Sequence, residues 1–329
     1  MNLLSNFTQC RDNIFDKTSN RFLISRIASS EQEPDLSKPP NCDGYGRIRH
    51  FRRFIADDWC PDPLPLDPCT KALKLDNLNM LEAQVFQIAS CNLNCWYCFV
   101  PDTLKIAKPD QSKWFSCDEM IRLFNSEKSN IRIIDLSGGN PELVPEWVLY
   151  TMKALEKMNL NNSIYLWSDD TLTTDFTFKY LKSSDLLYMK RYLNYGKVCC
   201  FKGYDQNSFS FNTLLPSSSF DNQFDLFARY MELRLDLFGY VTFTTNNIVN
   251  CEEKIDQFIT RLIQIHPLLP LRIIPLKIVK FSSMQKRMKP EYEQALINQL
   301  IIYNEWARVL SKLYNPELLN VNISNIQLY

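Results

Sequence analysis

The chain has 329 residues, 45% of them hydrophobic, and balances 37 basic against 37 acidic side chains for a formal net charge of +0. That length supports one large α/β core or a core with appendages, and the balance removes any global field that would draw nucleic acid or an anionic membrane. No apolar run approaches the ~20 residues of a membrane span, and Met1 to Cys10 lacks a charged region followed by an apolar stretch, so a cytoplasmic protein with no membrane partner is expected.

In chain order, residues 1–81 carry Pro39-Pro40, then Pro61, Pro63, Pro65 and Pro68, with weak periodicity. This predicts an N-terminal extension in the form of a proline-stiffened arm. Within it, Arg47-Ile48-Arg49-His50-Phe51-Arg52-Arg53 interleaves arginine with aromatics. Such a run can grip nucleic-acid phosphates and stack on bases, hold an anionic peptide, or form a solvated face. Cys42, Cys60 and Cys69, with His50, offer donors for a second metal site or simply pack the arm.

From residue 82 the pattern changes to alternating strands and helices. Val85 to Ile88 reads as a strand, Asp118 to Asn125 as helix, and Ile131 to Leu136 as a strand ending at Gly138-Gly139. Trp147 to Lys157 is amphipathic helix, Ile164 to Trp167 strand, and Thr174 to Leu181 helix. Val198 to Phe201 is a strand running into Lys202-Gly203, Phe220 to Leu235 helix, and Tyr240 to Thr244 strand. Glu252 to Ile265 is helix, Leu271 to Val279 an apolar strand, and Glu291 to Leu313 a long closing helix. Six strands alternating with helices predict a parallel sheet, open or closing into a barrel. The expected division is a core over 82–285 and a C-terminal helical segment over 286–329. In such folds sites gather at the C-terminal ends of strands. The segment Ser90 to Phe99, the Gly138-Gly139 turn, Ser168-Asp169-Asp170 and Lys202 all fall there.

Eleven cysteines are present. An odd count without an export signal makes disulfides a poor reading. Cys117 and Cys251 read as small buried hydrophobes. The adjacent pair Cys199-Cys200 reads as core, its members pointing to opposite faces of one strand. Cys91, Cys95 and Cys98 stand apart, spaced C-x3-C-x2-C. From the residues alone this loop admits a zinc site, which needs a fourth ligand, buried cysteines, or an iron–sulfur cluster with one iron left open.

The spacing, with Tyr97 just before the last cysteine, resembles the signature of the radical S-adenosylmethionine superfamily. That resemblance implies an α/β fold, a partial (β/α)6 TIM-type barrel here flanked by the N-terminal proline-rich arm and the C-terminal helix. It implies a [4Fe-4S] cluster on Cys91, Cys95 and Cys98, with S-adenosylmethionine on the open iron. Reductive cleavage would give a 5′-deoxyadenosyl radical that abstracts a substrate hydrogen. The turn Ser137-Gly138-Gly139-Asn140-Pro141-Glu142 is similar to the family's Gly-Gly-Glu-like turn, which assigns Gly138, Gly139 and Asn140 to the methionyl group. Asn140 stands where an acidic residue is usual. Tyr97 would pack near the adenine, and Ser168 and Asp170 would bond ribose hydroxyls or cap a helix. Lys202 would hold the cofactor carboxylate or sit solvated on the rim.

The stretch Val198 to Asp205 is somewhat similar to pyruvate formate-lyase-activating enzymes, although Cys200 stands where relatives often have an acid. The expected function is therefore a radical S-adenosylmethionine enzyme, of the glycyl-radical-activase kind. The alternatives are a modifier of RNA, a nucleotide or a small molecule, and a metal-binding interaction module without catalysis. An external electron donor such as flavodoxin or ferredoxin is the expected partner, beside a substrate protein, RNA or small molecule.

Overall fold

The computed structural model describes residues 3–54, 62–76 and 78–329. Its strands are β1 (Phe15–Asp16), β2 (Arg21–Ser25), β3 (Gly46–Arg52), β4 (Met80–Phe86), β5 (Ser112–Phe115), β6 (Ile133–Leu136), β7 (Tyr165–Asp170), β8 (Tyr195–Phe201), β9 (Leu237–Val241) and β10 (Ile273–Pro275). Seven of them form one sheet in the order β10-β9-β8-β7-β6-β4-β3. From β4 to β10 the pairing is parallel, and β3 is added antiparallel to β4.

Parallel neighbours need helical crossovers, and right-handed crossovers that always advance in one direction keep their helices on one face. Those helices are Cys117–Ser126, Glu146–Lys157, Ser183–Arg191, Asn222–Glu232 and Cys251–Ile265. The first begins at a capping box, in which Ser116 and Glu119 satisfy each other's backbone N–H. A sheet covered on one face only must bury the other against itself, and it does so by curling into a half-barrel. The curl is seen in a cavity of about 160 Å³ lined by Arg49, His50 and Arg52 of β3 together with Ile274, Pro275 and Leu276 at β10. These strands are the two opposite edges of the sheet.

Two apolar layers result. Leu136, Leu166, Cys199, Phe201 and Val241 pack outward against the helices. Ala83, Ile133, Trp167, Val198, Cys200 and Phe238 pack inward and fill the lower barrel with Leu64, Leu66 and Cys69. Cys199 and Cys200 thus face opposite layers, as adjacent strand residues must, and Cys117 is buried.

The described residues of the proline-rich stretch are not an extended arm. Leu3–Asp12 is a helix whose buried Arg11 donates to Leu143 O at 3.0 Å and pairs with Glu146 at 2.6 Å. Strand β3 extends the main sheet, and Leu66–Ala72 is a helix that plugs the barrel from below. Pro68 lies in the first turn of that helix, where its missing N–H costs nothing. The small sheet β1-β2-β5 latches onto the strand that leads into the cysteine loop, with Ala89 N–H donating to Leu23 O at 2.9 Å. Cys42 and Cys69 belong to the separate outer and inner layers, so the fold does not bring them together. Cys60 lies outside the described residues. His50 bonds Glu82 and Ser37 instead of a metal partner. No helix among the described residues is long and apolar enough to cross a membrane.

Candidate active site

The cysteine loop leaves β4 at the C-terminal rim of the barrel. Cys95 is buried and Cys91 and Cys98 are half-buried. Backbone bonds shape the loop: Cys91 N–H donates to Lys105 O at 3.2 Å and Cys98 N–H to Cys95 O at 3.1 Å. Burial raises the Cys91 thiol to about 12, with Lys105 opposing and Cys98 and Cys95 adding to the rise. Burial raises Cys95 as well, and there Lys202 opposes it. Cys91 and Cys95 therefore feel the neighbouring thiols, and the ammonium groups of Lys105 and Lys202 face them.

Among the described residues, no three Cys, His, Asp or Glu side chains are gathered to hold a single ion. Three thiolates on one tetrahedral ion at ~2.3 Å would sit ~3.8 Å apart. Three irons of one cluster, each taking one thiolate, space them more widely. The donor set of three thiols on one loop with two cationic neighbours fits a cluster of that kind.

The glycine turn explains its own composition. Gly138 has φ +90° and Gly139 φ +66°. A Cβ on Gly139 would lie 2.2 Å from Ile88 O and 2.5 Å from Ser90 O, so only glycine lets the turn pack on the strand entering the cysteine loop. Asn140, fully buried, completes that seam. Its N–H donates to Ser90 O at 2.8 Å, its side-chain amide donates to Asn92 Oδ1 at 2.7 Å, and its Oδ1 accepts from Glu142 N–H at 3.2 Å. Asn140 thus joins turn to loop, where the sequence reading had its oxygen on the methionyl group.

Lys202 and Tyr97 stand beside the thiols. Burial pushes the Lys202 ammonium down, but Cys200, Tyr97, Cys95 and Cys91 outweigh it and hold the group well above the ordinary lysine range. Tyr97 is buried, with its hydroxyl 3.3 Å from Thr242 Oγ1. Ser168 and Asp170 lie elsewhere. Both are fully buried on the helix side of β7, where Ser168 Oγ meets Tyr195 OH at 2.8 Å and Asp170 pairs with Lys197 at 3.3 Å. The residue of this trio that shares the barrel interior is Asp169, whose Oδ2 accepts from Ser137 Oγ.

Several site residues carry no motif. Lys105, buried, pairs with Asp102 at 3.0 Å, and the nearby Cys98 and Cys91 thiols help to keep it charged against its burial. Arg287, almost two hundred residues downstream, donates to Cys95 O at 3.0 Å and to Cys98 O at 2.5 Å. Tyr292 of the long helix Pro290–Leu313 stacks on Trp96 at 4.5 Å. The C-terminal segment therefore clamps the loop from above. Lone basic residues in a helical region give no sequence signal of such a role.

No curated protein matches the chain. Among solved structures, anSMEcpe with bound AdoMet is 16% identical, with 71% of this chain and 57% of that chain covered and a TM-score of 0.45. The same protein with AdoMet and the Cp18Cys peptide is 15% identical, with 71% and 59% covered and a TM-score of 0.45. Streptococcus suis SuiB bound to S-adenosylmethionine is 13% identical, with 68% and 46% covered and a TM-score of 0.44. The chain thus spans about half the length of these proteins. Residues 87–192, which include the cysteine loop and the glycine turn, match the family model of the Radical SAM superfamily. That match identifies a radical SAM domain over this third of the chain, and the cofactors of that superfamily are a [4Fe-4S] cluster and S-adenosylmethionine.

Proposed function

We propose that the chain is an enzyme that holds a [4Fe-4S] cluster on Cys91, Cys95 and Cys98 and abstracts hydrogen from a substrate bound in the half-barrel. The observation that carries this reading is the loop that sets Cys91, Cys95 and Cys98 on the rim, sealed by Asn140 and the Gly138-Gly139 turn and faced by Lys105 and Lys202. When bound, cluster and S-adenosylmethionine together supply one-electron cleavage to a hydrogen-abstracting radical.

The chain's own residues supply placement, charge balance and dryness. Gly138 and Gly139 would let backbone approach the methionyl group, with Asn140 holding that turn against the loop. Lys202 would balance the cofactor carboxylate, and Tyr97 would wall the adenine side. Trp96, Tyr292 and Arg287 cover the loop and exclude water, which a reactive radical requires. The electron would come from an external donor such as flavodoxin or ferredoxin.

The activase reading loses its sequence support, because the stretch after Lys202 has a helix-starting job. Tyr204 is buried, and Asp205 caps the helix Gln206–Thr213. The RNA reading loses the outward basic patch it needed. Arg47 and Arg49 point into the barrel, while His50 on the other face pairs with Glu82 at 2.9 Å. Substrate recognition by the barrel interior is the reading that these placements support.

The test is anaerobic reconstitution followed by reduction with S-adenosylmethionine present. Wild type should bind about four irons per chain and release 5′-deoxyadenosine and methionine. Cys95→Ala should lose both. Zinc binding without deoxyadenosine would sink the reading.

A further inference from the structure

Below the glycine turn, the interior holds charge that nothing among the described residues completes. Asp135 of β6 is fully buried. Its Oδ2 meets Arg49 at 3.4 Å, a long contact, and its Oδ1 has no hydrogen-bond partner. Asp169, on the neighbouring strand β7, spends Oδ2 on Ser137, and its Oδ1 is also buried without a partner. Arg49 divides itself between Asp135 and Asp62, again at 3.4 Å. Arg47 lies over the Phe99 ring at 5.2 Å and bonds Gln87 at 3.3 Å. Among the described residues, two guanidiniums, Arg47 and Arg49, thus stand against three carboxylates, Asp62, Asp135 and Asp169, while Lys202 and Lys105 answer to the thiols. An uncompensated buried carboxylate is costly. Burial and the Asp169 charge duly raise the Asp135 carboxyl, against the pull of Arg49 and Arg47.

Two cavities approach this cluster as far as Arg49, the partner of Asp135. The seam cavity of about 160 Å³ reaches Arg49 and Asp62, and a neighbouring cavity of about 250 Å³ reaches Arg47 and Arg49 beneath Phe99 and Phe281.

We propose that Asp135 and Asp169 form a recognition site for a primary alkylammonium group of the substrate, admitted through the seam between β3 and β10. Each carboxylate has one open oxygen. A tetrahedral ammonium with three donors can meet two such oxygens from different strands, whereas a planar guanidinium prefers both oxygens of one carboxylate. The added positive charge would balance the third carboxylate. The inference rests on the enzyme reading, since it assigns the interior to substrate. S-Adenosylmethionine carries an ammonium of its own, so the test must separate the two sources.

Calorimetry on the full, reconstituted chain provides that test, with Nα-acetyl-lysine amide and its uncharged analogue Nα-acetyl-norleucine amide as probes and S-adenosylmethionine titrated in parallel. The lysine probe should bind wild type at least roughly tenfold tighter than the norleucine probe, the scale of a charge-assisted hydrogen bond. Asp135→Asn and Asp169→Asn should each erase that preference, and melting curves for both variants establish that the fold is retained. If one variant fails to fold, the other decides. Equal binding of the two probes, or no binding of the lysine probe, overturns the proposal. So does a loss confined to S-adenosylmethionine affinity, which would give the carboxylates to the cofactor. Lysine-probe binding to a chain that forms no deoxyadenosine would keep the site and refute the enzyme reading. Deoxyadenosine formation with no probe preference would do the reverse.

Discussion

Asp169 and Asp170 are adjacent in the chain and live in opposite polar clusters. Asp170 faces the helices. There Lys197 Nζ bonds Glu142 and lies 3.3 Å from Asp170, Thr177 donates to Glu142, Tyr230 OH donates to Glu142 at 3.0 Å, and Leu172 N–H donates to Asp170 Oδ1 at 2.7 Å. Lys197, Glu142 and Asp170 are all within 2% of full burial. Asp170 Oδ2 has no hydrogen bond but is answered by the Lys197 ammonium at 3.3 Å, so the cluster balances its own charge, and because Glu142 follows the glycine turn by three residues, it fixes that turn from behind. Asp169 faces the interior, where contacts are long and two carboxylate oxygens are open. The same residue types build an anchor on one face and an unfinished site on the other. Closure separates the two roles: a network that completes itself holds backbone, and one that does not is left for a ligand.

The comparison can be broken most forcefully on the closed side. Lys197→Met strands two buried carboxylates and should cost about 3–5 kcal/mol, read as a fall in denaturant midpoint. A variant as stable as wild type would mean the outer cluster anchors nothing. Arg287→Met tests the other closed contact, the clamp on the loop carbonyls. It removes donors from Cys95 O and Cys98 O, with an expected loss of about 1–3 kcal/mol and faster release of iron from the reconstituted chain. Retention of iron at the wild-type rate would show that the loop holds itself.

The smallest effect is expected on the open side, and it has the opposite sign. Burial and the Asp169 charge raise the Asp135 carboxyl to about 7, with Arg49 and Arg47 opposing. The unfolded value is about 3.9. Between those values the folded chain holds a proton that the unfolded chain has released, so this group's contribution to stability falls as pH rises from about 4 to about 7. Asp135→Asn removes that decline. The variant should therefore gain on wild type across this window. Urea unfolding at the two ends of the window measures it. A variant that loses stability at the upper end would place Asp135 with the closed anchors.

Much of this was legible in the chain. The strand ending in Gly138-Gly139 and the loop of Cys91, Cys95 and Cys98 announce themselves through β-branched runs and thiol spacing, which are local properties. Strand ends were less exact. The stretch Leu271 to Val279 reads as one long strand, yet only Ile273–Pro275 pairs, because apolar composition marks burial and not hydrogen bonding. The helices Ser183–Arg191 and Gln206–Thr213 were missed. They are short, and their apolar stripes are weak beside their caps. Ser168 and Asp170 were put on the cofactor side for a related reason. A parallel strand buried on both faces is apolar throughout, so its alternation gives no sign of which face is inside.

By itself, then, the sequence determined the order of strands and helices and the reactive loop, since propensity, periodicity and ligand spacing act over a few residues. Only the tertiary structure decided that β3 would bring Arg47 and Arg49 into the barrel, that Arg287 would clamp the cysteine loop, and that Asp169 rather than Asp170 would face inward. Those outcomes depend on the curl of the sheet and on contacts between residues 32 to almost two hundred positions apart, and no local pattern encodes them.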